Sequence, residues 1–67
     1  MYKNLETIRK EKNLTINDMA KVINRSPANY FKKERGEVSI TVKEAVLLAK
    51  FLNEDVEFLF QEYGKEP

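Results

Sequence analysis

The chain has 67 residues, no cysteine and no histidine, a formal net charge of +1 and 34% charged residues, which excludes disulfides, thiolate or imidazole metal sites and a histidine general base. No apolar run approaches the ~18 residues of a membrane span, and no apolar signal core follows Met1-Tyr2-Lys3-Asn4. Two glycines and two prolines are too few for a β-rich chain of many turns, so one compact all-α domain in a reducing, cytoplasmic setting is expected; at this size only ~60% of the unfolded surface is buried, which calls for a dense core or a partner copy.

The elements follow in chain order. Leu5 and Ile8 form a short apolar stripe among Lys, Glu and Arg, predicting a first helix over about 3–12. Asn13 is a candidate left-handed stop. Thr15-Ile16-Asn17-Asp18 resembles a capping box with Asp in place of Glu, and Met19, Ala20 and Ile23 follow on one face, predicting a second helix over about 15–23. Asn24 is a second candidate for positive φ. Ser26-Pro27 is an N-cap followed by proline at the first helical position. The third helix then spans about 27–34, stops before Gly36 and points Tyr30 inward. Thr41-Val42-Lys43-Glu44 is a full capping box opening a fourth helix over about 42–52, with Val42, Ala45, Val46, Leu48, Ala49 and Leu52 as its core face. Asn53 is a third left-handed candidate. Asp55 is placed to cap a short fifth helix from Val56 to about Gln61, and residues 63–67 are expected to form a frayed tail. The expected organisation is one domain over 1–62 with a tail over 63–67, and the Met1 start favours an intact N-terminus.

Charge is divided along the chain. Residues 1–36 carry nine Lys/Arg against four Asp/Glu, a net +5, whereas residues 37–67 carry three against seven, a net −4. Such a split suits a polyanion held on one face; a dipole that only aids solubility is the other reading.

The second and third helices, joined by a tight turn at Asn24-Arg25, form a helix-turn-helix. From Leu5 to Phe60 the chain resembles the phage Cro/repressor-type, or Xre-type, helix-turn-helix family. The residues that carry the resemblance are Leu5, Ile8 and Arg9; Leu14-Thr15 with Met19-Ala20 and Ile23; Ser26, Tyr30, Glu34 and Gly36; and Ala49, Leu52, Leu59 and Phe60. The resemblance implies a five-helix, lambda-repressor-like fold that binds a double-stranded, palindromic operator as a homodimer and controls transcription, usually as a repressor. It also implies a structural Arg–Glu bridge between Arg9 and Glu34.

Carried over by position, DNA contacts fall on Thr15, Ile16, Asn17, Arg25, Ser26, Pro27, Ala28, Asn29, Phe31, Lys32, Arg35 and Ser39. Several depart from the family pattern. Position 16 is often Gln in relatives and here is Ile; positions 27 and 28 often carry Arg, Gln or Ser and here are Pro and Ala. Ile16, Pro27, Ala28 and Phe31 cannot hydrogen-bond base edges, though apolar groups can meet thymine methyls. Asn29 is a candidate for adenine or a phosphate, and Lys32 for guanine. Lys10, Lys21, Arg25, Lys33 and Arg35 are expected to add salt-dependent affinity. Lys33 stands where relatives carry an apolar residue; its stem is expected to lie over the core with the ammonium in water.

Leu47, Phe51 and Phe58 are surplus to a single core. Either the tail around Tyr63 covers them or they form a two-fold dimer contact. No nucleophile–base pair, Gly-rich phosphate loop or metal-ligand cluster can be named, so no enzymatic activity, cofactor or metal is expected. No membrane partner or small-molecule ligand is evident either. The competing function is a helix-turn-helix that binds protein, such as an antitoxin or repressor antagonist, through the Ile16/Pro27/Ala28/Phe31 face.

Overall fold

Local signals place the helices almost residue by residue. The computed structural model describes residues 1–61, with five helices: α1 (Lys3–Glu11), α2 (Ile16–Val22), α3 (Pro27–Glu34), α4 (Val42–Leu52) and α5 (Val56–Leu59). Thr15 Oγ1 accepts from the Asp18 N–H while the Asp18 carboxylate accepts from the Thr15 N–H, so the Asp variant of the capping box closes as expected. Thr41 and Glu44 close the second box reciprocally, and Ser26 Oγ accepts from the Asn29 N–H. Asp55 departs from expectation. It occupies the N-cap position of α5, but its side chain makes no capping bond, and α5 ends at Leu59 rather than near Gln61. The expected tail, with Tyr63, lies outside the described residues.

Four helices end in one geometry. Asn13 (φ 59°), Asn24 (φ 56°), Gly36 (φ 83°) and Asn53 (φ 56°) take the left-handed conformation. After each, the next amide reaches back five residues to a helical carbonyl: Leu14 to Arg9, Arg25 to Ala20, Glu37 to Lys32 and Glu54 to Ala49. This pairing satisfies carbonyls that a helix end otherwise leaves open. Asparagine tolerates positive φ better than other residues with a Cβ, which explains its use at three of the stops.

The core gathers Leu5, Met19, Ala20, Ile23, Tyr30, Leu48, Ala49, Leu52 and Leu59, with Ile8, Leu14, Ile16 and Phe60 packed around it. Three members of the expected α4 core face are not in it: Val42 is 82% exposed, Val46 is also exposed and Ala45 is half-buried. The inward arc of α4 instead runs through Glu44, Leu48, Ala49 and Leu52. The N-terminus is tied down by Tyr2, whose N–H donates to the Glu34 carbonyl and whose ring meets Phe60 edge-on at 5.3 Å. Asn4 Nδ2 donates to the Phe58 carbonyl, joining α1 to α5. No helix among the described residues is long and apolar enough to cross a membrane.

A buried polar cluster joins α1 to α3. Arg9 grips Glu34 through two bonds, Nε to Oε2 at 2.9 Å and Nη2 to Oε1 at 3.1 Å, and its Nη1 donates to the Leu14 carbonyl. The Tyr30 hydroxyl donates to Glu34 Oε2 at 2.7 Å. Hydrogen bonding to Glu34 raises the guanidinium of Arg9 further, and burial pushes the Tyr30 hydroxyl up, so Arg9 stays charged and Tyr30 neutral across ordinary pH. Arg9→Ala strands the Glu34 charge and is expected to cost ~3–5 kcal/mol, a large part of the stability of so small a domain. The triple change R9M/Y30F/E34L is expected to recover most of that loss in urea titrations. A triple variant as unstable as Arg9→Ala would assign the loss to packing instead.

Candidate nucleic-acid interface

α3 has two distinct sides. At 100° per residue, Tyr30, Lys33 and Glu34 fall on one arc and Ala28, Phe31, Lys32 and Arg35 on the opposite one, with Pro27 at the boundary between them. The first three are buried and the other five exposed. The exposed five therefore combine a rigid proline start, a small residue, an aromatic ring and two cations. The Arg35 guanidinium lies 5.5 Å from the centroid of the Phe31 ring, while its Nε donates to Glu37 at 2.9 Å. Lys32 is exposed and forms no ion pair among the described residues.

The other predicted contacts divide. Thr15 and Asn17 are exposed at the start of α2, Thr15 with its hydroxyl engaged as a cap. Ser26 is exposed, with its hydroxyl engaged in the same way at the start of α3. Ile16 is half-buried and packs against the core. The expected apolar face of Ile16, Pro27, Ala28 and Phe31 is thus smaller than the sequence suggests, with Ile16 turned inward and Arg35 over Phe31. Asn29 is half-buried, and its Oδ1 is enclosed without a hydrogen-bond partner. A bidentate grip on adenine needs both ends of that amide, so Asn29 must turn outward to make one. Ser39 is exposed, and its carbonyl accepts from Lys33 Nζ at 3.0 Å. Leu47, Phe51 and Phe58 are exposed, Phe51 by half its surface. Leu47 and Phe51 lie one turn apart on one flank of α4, and the exposed Val42 and Val46 lie on the other, with Lys43 and Lys50 between the two pairs.

Lys33 requires the main correction. It is only 5% exposed, and its ammonium is not in water. Nζ donates to Glu44 Oε1 at 2.8 Å and to the Ser39 carbonyl, so Lys33 is an internal strut and is not available to a phosphate. Glu44 was legible in the sequence only as a capping residue. It also accepts from Arg25 Nε at 2.9 Å through Oε2. The available signal was Lys33 itself: a lysine at helical spacing from Tyr30, on the inward arc, needs a buried carboxylate partner.

Burial raises the Glu44 carboxyl, but hydrogen bonds from Lys33, the Thr41 N–H and Arg25 outweigh that effect and hold it down at about 2. Ion pairing with Lys10 and Lys3 lowers Glu6, and the Thr15 cap lowers Asp18.

A family model described as helix-turn-helix matches residues 5–59. No curated protein and no solved structure matches the chain.

The depressed Glu44 value sets the sign of an acid response. Its stabilisation is present above the ordinary carboxyl value of 4.5 and is lost as pH falls towards about 2. The urea midpoint is expected to fall across that window, with smaller contributions from Glu6 and Asp18. K33M/E44L, which removes the buried pair without stranding Lys33, should flatten the decline; an equally steep decline in that variant would assign it to the surface carboxylates.

Proposed function

This chain belongs to the Cro/repressor-type helix-turn-helix family of DNA-binding regulators, and we propose that it is a sequence-specific transcriptional repressor of bacterial or phage origin, acting in the cytoplasm on the nucleoid. A homodimer binds a palindromic operator, and each copy lays α3 in the major groove. The observation that carries this reading is the division of α3, whose inner arc is locked by buried charge pairs while the outer arc from Ala28 to Arg35 is open.

The contacts follow from chemistry. Lys32 is the donor best placed for a guanine edge, and Pro27, Ala28 and Phe31 meet thymine methyls. Asn29 adds an adenine or phosphate contact once its amide turns outward. Thr15, Asn17, Ser26 and Ser39 line the backbone approach, and Arg25 and Arg35 supply sequence-independent attraction. The DNA-binding unit is residues 1–62, with 63–67 as a tail; the family match ending at residue 59 supports that division. Leu47, Phe51 and Phe58 form the two-fold contact, a reading supported by their exposure on α4 and α5. Two-fold pairing spaces the recognition helices by about one turn of DNA, ~34 Å, and offsets the marginal stability of a domain this small.

Selection of genomic fragments by the purified protein at two salt concentrations is expected to recover an inverted repeat. Capture of any DNA indiscriminately, lost at the higher salt, would remove sequence specificity from the proposal. On the recovered operator, Lys32→Ala and Asn29→Ala should each weaken specific binding by roughly tenfold while changing non-specific binding less. Equal losses on both would demote the two residues to phosphate contacts. Phe51→Glu should shift the sedimentation coefficient to that of a monomer and reduce operator affinity. A variant of unchanged mass would show that Phe51 lies outside the dimer contact.

A further inference from the structure

One buried carboxylate touches both ends of α3. Glu44 Oε2 accepts from Arg25, two residues ahead of the first residue of the helix, and Oε1 accepts from Lys33 in its last turn. The carboxylate is itself fixed, because Oε1 also accepts from the Thr41 N–H at the start of α4. Glu44 is 4% exposed, so salt screens these bonds little.

The arrangement leaves Arg25 half engaged. Its side chain is 53% exposed, and Nε alone is bonded among the described residues. The two Nη groups carry four further donors in a rigid fork suited to phosphate. A carboxylate paired with Arg25 alone would cancel its attraction for an anion. Lys33 prevents that cancellation: two cations on one carboxylate leave a local charge of +1 at the turn before α3.

From this we infer that Glu44 is a positioning residue for DNA binding, which sets the seat of α3 and holds the Arg25 fork ready for a backbone phosphate, with Lys33 as the buried counter-charge. The inference rests on the proposal that α3 enters the major groove. Holding Nε in the free protein lowers the ordering cost that an exposed arginine otherwise meets on binding.

The test uses the purified chain and a labelled random-sequence duplex of about 20 bp, because a phosphate contact is independent of sequence. Arg25→Gln is expected to weaken binding roughly five- to tenfold at low salt and to reduce the slope of log affinity against log salt by about one. Glu44→Gln alone strands the buried Lys33 charge and confounds binding with stability, so the informative variant is K33M/E44L, which replaces the buried pair with apolar residues and keeps the net charge. This variant is expected to melt cooperatively, to show the same loss of affinity and slope, and to lose nothing further when R25Q is added. Wild-type affinity and slope in K33M/E44L, or a full additional loss from R25Q, would overturn the positioning role. In the wild type, the NMR signal of the Arg25 Nε–H should remain protected from exchange both free and bound to DNA. Rapid exchange in either state overturns the inference even if the double variant fails to fold. No binding of any duplex by the wild type would instead overturn the proposed function, and the inference with it.

Discussion

The inner arc of α3 carries charge where a small helical domain would ordinarily carry hydrocarbon. Of its three buried residues, Tyr30, Lys33 and Glu34, two are ionised and the third is a hydrogen-bond donor. Each ion must meet its opposite in the interior or forfeit several kcal/mol. Arg9 answers Glu34 from α1, and Glu44 answers Lys33 from the start of α4. The seat of α3 is therefore set by two matched pairs on opposite flanks. Hydrophobic contact alone tolerates small slides and rotations, whereas two buried pairs near 3 Å do not.

That choice favours one orientation over raw stability. Apolar replacements of buried pairs are often neutral or stabilising, and a chain of 67 residues has little core to spare. On the proposed reading of α3 as the recognition helix, holding it in one pose converts outer-arc side chains into a defined pattern of contacts, because the ordering is complete before the duplex arrives. The same buried pairs keep charge near the helix without exposing it. Lys33 contributes to the local field through Glu44, while on the outer side Lys32 forms no ion pair among the described residues and Arg35 pairs with Glu37.

The remaining surface is divided between polar α3 flanks and an apolar α4–α5 side. Val42, Val46, Leu47, Phe51, Val56 and Phe58 are exposed among the described residues, with Lys43 and Lys50 between the Val42/Val46 and Leu47/Phe51 pairs on α4. Val42 and Val46, expected to face inward, are exposed, and the inward arc of α4 includes the capping carboxylate Glu44.

Helix boundaries belong to the sequence by itself. Reciprocal capping pairs at Thr15-Asp18 and Thr41-Glu44, the Ser26-Pro27 start, and Asn13, Asn24, Gly36 and Asn53 as stops are interactions within a few residues, so the local chain determines them. Family membership was legible from residues spread between Leu5 and Phe60, and the Arg9–Glu34 bridge only as what that resemblance implies. The tertiary structure alone decided the partner of Lys33, the second role of Glu44, the inward turn of Ile16 and the exposure of Val42 and Val46. Helical periodicity gives the direction of a side chain on its own helix, but not what the neighbouring helix brings to meet it. A lysine on an inward arc announces that a carboxylate is needed, and only the packing of α3 against the start of α4 names Glu44 as that carboxylate.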